Sequence, residues 1–233
     1  MDTWPNMKLG SVITANIVVF LVVGLLASCG KGKQTGKPRR FDEMRRQDVV
    51  QMLASTNPAT ADEAYRFVLK HYESYGGDVR QGLSNHTFRV RLGCRNLLIA
   101  QGGMTEKEGA QRLFADLLSN RNVAEKHVAA LVLSEEMASL SISQREEVVI
   151  QLIDGLKDPG VLLVARDPDV LSPPKVTVRD LSAERLLRLV GPGATGISQR
   201  VENSDREYAL WEKWYQESKG AIRFADREIG VHP

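Results

Sequence analysis

Four histidines, two cysteines and three close pairs of glutamates are the side chains in this chain whose types suit chemistry. The histidines are His71, His86, His127 and His232. A zinc site draws histidine and cysteine together at short, fixed spacings. None of the four stands at such a spacing from another histidine or a cysteine, so no metal is expected, and His71 and His127 read as helix residues. Glu106/Glu108, Glu135/Glu136 and Glu146/Glu147 could act as acid and base only in a shared cleft that drives their pKa values apart. At helix ends they read as capping and solvating charges. No serine sits in a G-x-S-x-G elbow. Gly191–Gly196, GPGATG, has the spacing of a phosphate-cradling loop, which needs a strand before it and a helix opening within it. Here a helix ending near Val190 precedes it and the polar stretch Ser198–Ser204 follows, so it reads as a helix-ending turn. The residues predict no catalytic group, no cofactor and no small-molecule substrate.

The cysteines differ in setting. Cys94 lies among Leu92, Leu97, Leu98 and Ile99 and reads as a small core residue. Cys29 ends the apolar run 17–28, and the basic string Lys31, Lys33, Lys37, Arg39, Arg40 follows it with no acid among them. Two cysteines make no disulfide framework. The net charge is +2, too small for a chain that coats nucleic acid. The five basic residues of that string leave the body from Asp42 onward at −3. A basic string beside a membrane is drawn to anionic head groups. The apolar core 17–27 is short for a spanning helix. With Lys8 before it and small residues after it, the segment fits a secretory signal over 1–28. Residues 29–41, with Gly30, Gly32, Gly36 and Pro38, read as a flexible tether.

What remains, 42–219, must position any surface the protein uses, and it reads as helix after helix. Four Ser/Thr-x-x-Glu signals open helices, at Thr60–Glu63, Thr105–Glu108, Ser143–Glu146 and Ser204–Glu207. Behind each comes an apolar stripe at helical spacing, such as Ala110, Leu113, Phe114, Leu117 and Leu118. A leading helix at 42–54 and helices over Phe88–Ala100, Val123–Ala138 and Val178–Val190 complete the set, with stops at Gly76-Gly77, Gly102-Gly103, Ser119-Asn120 and Asp158-Pro159-Gly160. The four starts lie 45, 38 and 61 residues apart. The last interval holds a proline-marked insertion, 157–176, and without its 20 residues shrinks to 41. Spacings near 40 are those of a two-helix repeat. The body therefore reads as three helical pairs (60–100, 105–138, 143–190), a terminal helix at 204–219 and a tail at 220–233.

Two resemblances follow from these residues. Leu26-Ala27-Ser28-Cys29 resembles the lipobox of bacterial lipoproteins. That implies cleavage between Ser28 and Cys29, lipid on the Cys29 thiol, and a place in the cell envelope, with the periplasmic face of the outer membrane favoured over the inner membrane. The helical pairs, with VRDLSAERLLRLVG at 178–191 the nearest in pattern, resemble HEAT-like repeats. That implies an all-α, short HEAT-like α-solenoid; an irregular helical bundle is the alternative. The expected role is a membrane-anchored scaffold that binds an unknown protein partner. The alternatives are a small envelope hydrolase with a non-obvious site and a purely structural lipoprotein. Candidate partner-binding residues are the aromatic ridge Trp211, Trp214 and Tyr215, whose preferred reading is sealing the end of the stack, and Leu162 and Leu163 in the apolar run of the insertion.

Overall fold

The computed structural model describes residues 41–162, 176–190 and 204–224. Ser28, Cys29, the basic tether, Leu163, GPGATG and residues 225–233 lie outside the described residues, as do the side chains of Leu162 and Ser204. The described body is all-α but for two two-residue strands, Val161–Leu162 and Val176–Thr177. None of its helices is long and apolar enough to cross a membrane. Its described residues divide into two compact units, one of residues 41–109 with Leu162 and one of Ala110–Val161 together with the described residues from Val176 onward.

The first unit opens with a 3-10 turn, Phe41–Glu43, then α1 (Arg46–Gln51) and a second 3-10 turn, Met52–Ala54. The expected continuous helix over 42–54 is therefore three short pieces. Three helices follow: α2 (Pro58–Lys70), α3 (Tyr72–Gly82) and α4 (Phe88–Ala100). The start of α2 precedes the expected Thr60. Asn57 caps it, accepting from the N–H of Ala59 at 3.0 Å and of Thr60 at 3.4 Å, and Pro58 stands first in the helix, where its missing N–H costs nothing.

Gly76-Gly77 was expected to stop a helix and instead lies inside α3. Two glycines cost a helix about 2 kcal/mol relative to alanine. Burying Tyr75 (6% exposed) and Val79 (0%) offsets that, since a buried side chain of this size contributes about 1.5–3 kcal/mol. The stretch expected as one helical pair, 60–100, accordingly holds three helices. Val50, Leu53, Val68, Val79, Val90, Cys94 and Leu97 form the core of this unit. Helices α3 and α4 meet closely at Gly82, where a Cβ would lie 2.4 Å from Cys94 Sγ.

Helix α5 (Glu106–Ser119) begins with the expected capping box. The Thr105 N–H donates to Glu108 Oε2 at 2.8 Å, and the Glu108 N–H donates to Thr105 Oγ1 at 3.1 Å. The second unit continues with α6 (Val123–Leu133), α7 (Ile142–Gly155), α8 (Val178–Val190) and α9 (Ser204–Ser218). Asn122 caps α6. That helix stops at Leu133, five residues short of the expected end, and only a 3-10 turn, Met137–Ser139, follows. The box that opens α7 is Ser141–Gln144, two residues before the expected Ser143–Glu146. A further box, Thr177–Asp180, opens α8, with aspartate in the glutamate role.

Helix α6 is central to this unit: His127 through Leu133 are all buried. A helix apolar all round must be covered all round. Helix α7 packs on α6, α8 on both, and α9 on α7. The expected stripe of α7, Val149, Leu152, Ile153 and Leu156, is buried throughout. On α5, Ala110, Leu113 and Leu117 are buried, but Leu118 is 56% exposed. Helices α5 and α7 are joined by a reciprocal amide pair. Gln111 Nε2 donates to Gln144 Oε1 at 3.1 Å, and Gln144 Nε2 donates back to Gln111 Oε1 at 2.7 Å.

Candidate functional site

Helices α7 and α9 run antiparallel. At one end Lys157, just past α7, places its ammonium 3.5 Å from the centre of the Tyr208 ring. At the other, Arg145 lies 5.8 Å over the ring of Phe224, just past α9. Between them is a half-open groove of about 210 Å³. Ile150, Gln151, Ile153 and Asp154 form its α7 wall, and Tyr208, Glu212, Tyr215 and Gln216 its α9 wall.

The aromatic ridge divides its work. Trp211 is wholly buried and meets Trp214 edge to face, with ring centres 5.4 Å apart. Trp214 is half-buried and Tyr215 is 8% exposed. Trp211 is thus a core residue of the second unit. Tyr215 packs inward and also lines the groove. Burial raises its hydroxyl pKa above the ordinary 10.0, and the charges of Glu146 and Glu147 add to that.

The opposite end is polar. The Lys157 ammonium is held above its ordinary 10.5, first through its hydrogen bond with Tyr208; desolvation opposes this, and the fields of Asp154 and Glu212 add smaller contributions. Asp154 also turns inward. Its Oδ2 lies 3.2 Å from Nε2 of His127, while Asp158 Oδ2 lies 2.9 Å from Nδ1 of the same ring. His127, expected as a helix residue, is 3% exposed and clasped between two carboxylates. Asp158 is fixed in turn, accepting from the Gly160 N–H at 2.8 Å. Each ring nitrogen lies within hydrogen-bond distance of a carboxylate oxygen. The constellation joins α6 to the end of α7.

The other sequence candidates are dispersed. Glu108 is the cap of α5, which lowers its pKa through hydrogen bonds from the Thr105 backbone and then its hydroxyl. Glu135 caps nothing: it pairs with buried Arg185 and, at 3.1 Å, with Arg188, and Arg188 also reaches Glu184 at 2.7 Å. Burial lowers the Arg185 pKa, against the pull of Glu135. Glu147 accepts from Gln151 at 3.0 Å. His71 is exposed, its ring 4.6 Å from that of Phe67. Cys94 is buried, and burial pushes its thiol up to about 12. Among the described residues no group of three or more His, Cys, Asp or Glu is placed to hold a metal ion.

The sequence signal that marks the clasp is Asp154 and Asp158 four apart at the end of an amphipathic helix. Asp154 lies in the last turn of α7 and Asp158 in the turn that follows it, and both carboxylates reach the same buried ring. Comparison with protein-family models, curated proteins and solved structures finds no match for this chain.

Proposed function

We propose that this chain is a lipid-anchored, non-catalytic scaffold of the bacterial cell envelope that binds another protein. The observation that carries the binding half is the open α7–α9 groove, with its apolar Ile150 and Ile153, aromatic walls and polar rim. Such a surface suits a side chain or short segment of a partner better than a reaction, which needs convergent groups closed off from water. The anchor half rests on Leu26-Ala27-Ser28-Cys29 and the basic string after it. A diacyl-modified cysteine with a further amino-terminal chain holds a protein on a bilayer far better than one chain does. The HEAT-like reading draws support from the succession α5, α6, α7 and α8, in which the capping boxes at Thr105 and Ser141 lie 36 residues apart.

Two measurements test the reading. Mass spectrometry of the mature protein should find a chain that begins at Cys29 and carries acyl mass. An intact 1–28 peptide overturns the anchor. A photo-crosslinking residue at Gln216, inside the groove, should give one reproducible adduct in the envelope fraction, absent when the probe is moved to exposed Lys219. Adducts that do not depend on probe position overturn the binding role.

A further inference from the structure

The chemistry of the α7–α9 groove is that of a receptor for positive charge. Its two helices carry Glu146, Glu147, Asp154, Asp205, Glu207, Glu212 and Glu217 against Arg145, Arg206 and Lys213. The excess adds to the field at both ends. Glu146 and Glu147 raise Tyr215 at one end, and Asp154 and Glu212 favour the charged form of Lys157 at the other. The second end already holds an ammonium, that of Lys157, 3.5 Å from the Tyr208 ring centre. An aromatic face with carboxylates beside it attracts a cation through the ring quadrupole and the full charges together. Lys157 is tethered there by the chain itself, beyond the end of α7, and its side chain is exposed. Ile150, Ile153 and Tyr215 give the rest of the groove an apolar lining that a simple cation site would not need.

We infer that this groove binds a partner segment that presents a lysine or arginine next to an aliphatic side chain. The basic head group goes to Tyr208, Asp154 and Glu212, in competition with Lys157, and the aliphatic side chain lies against Ile150 and Ile153. The inference rests on the binding role proposed above and names its partner's chemistry. Gln151 and Gln216 offer amides to the segment's backbone, the usual way a groove adds affinity without reading sequence. Lys157 acts as a resident competitor, so that a segment without a basic residue gains less by entering.

The test uses the full chain in neutral detergent and three fluorescein-labelled nonapeptides that alternate leucine with lysine, glutamine or glutamate. Fluorescence anisotropy should show binding of the lysine peptide, weaker binding of the glutamine peptide and none of the glutamate peptide. Raising the salt should weaken the lysine peptide most, because exposed charges are screened over about 10 Å at 0.1 M. Glu212→Gln, on an exposed position, should weaken the lysine peptide about threefold, the size of an exposed ion pair. Lys157→Met should strengthen it by about the same factor. Equal binding of lysine and glutamine peptides, with Ile153→Asp abolishing both, overturns the charge preference and leaves the groove a binding surface. Binding indifferent to all three substitutions overturns the charge preference and the groove together.

Discussion

Trp211 offers the sharpest test of how the second unit is held together. Its side chain is wholly buried, whereas Trp214, edge to face with it, is half-buried and Leu210 is 43% exposed. Truncating a buried tryptophan to alanine costs about 3–5 kcal/mol, the lost transfer energy plus the cavity left behind. About 1 kcal/mol of that is the ring pair with Trp214. Trp214→Ala should lose the ring pair and part of its area, about 1–2 kcal/mol. Leu210→Ala should stay within about 0.5 kcal/mol of the parent, as surface substitutions do. Trp211→Phe should be milder than its volume suggests. The indole N–H is buried without a hydrogen-bond partner among the described residues, and phenylalanine removes that unpaired donor. The order of cost should therefore be Trp211→Ala, Trp211→Phe and Trp214→Ala close together, then Leu210→Ala. Urea unfolding followed by far-UV circular dichroism reads this as a fall in midpoint at constant slope. In a chain of this size about 3 kcal/mol corresponds to a Tm lower by roughly 6–12 °C. A Trp211→Ala midpoint equal to the parent's would refute the sealing role, as would a Trp214→Ala loss as large as that of Trp211→Ala.

Other expectations concern single positions. Gly77 is exposed in mid-helix with nothing within 4 Å of an added Cβ; Gly77→Ala should stabilise by about 0.5–1 kcal/mol, while Gly82→Ala, whose Cβ would meet Cys94 Sγ, should destabilise. Both are read from the same urea curves. In a Cys29→Ser background the Cys94 thiol, raised to about 12 by burial, should ignore a disulfide reagent at pH 8 and react at once in denaturant; rapid native labelling would show the thiol open to solvent. The Glu108 carboxylate is held below its ordinary 4.5, so its contribution to stability is complete above that value and is lost as the pH falls through the lowered one. In Thr105→Ala the Glu108 titration, followed by carboxyl carbon NMR, should move back toward 4.5; an unchanged titration would mean that the cap does not set it.

Legibility in the sequence followed the range of the forces involved. Helices set by their own residues were readable: Phe88–Ala100 and Val178–Val190 stand where periodicity put them, and the Thr105–Glu108 box caps α5 as expected. Errors arose where two local signals competed. Asn57-Pro58 wins over Thr60, and Ser141–Gln144 over Ser143–Glu146, because the winning residue lies just outside the helix with its oxygen free to accept. Gly76-Gly77 misled for another reason, since burial of Tyr75 and Val79 depends on partners in other helices that no local pattern shows. The groove and the His127 clasp were hidden for the same cause. Asp154 near the end of α7 and Asp158 just beyond it are close in sequence, but the ring they hold is 27 and 31 residues away.

The interlock of Gln111 with Gln144 has a consequence of its own. Two primary amides that each give and take a proton bond carry no formal charge. Added electrolyte, acid or base in the ordinary range leaves such a pairing as it was, whereas the carboxylate and ammonium contacts along α7 and α9 respond to all three. Replacing one NH2 by O−, as hydrolysis of either amide would do, sets two acceptors face to face. The seam between α5 and α7 is thus indifferent to its ionic surroundings but sensitive to the slow chemical ageing of a single side chain.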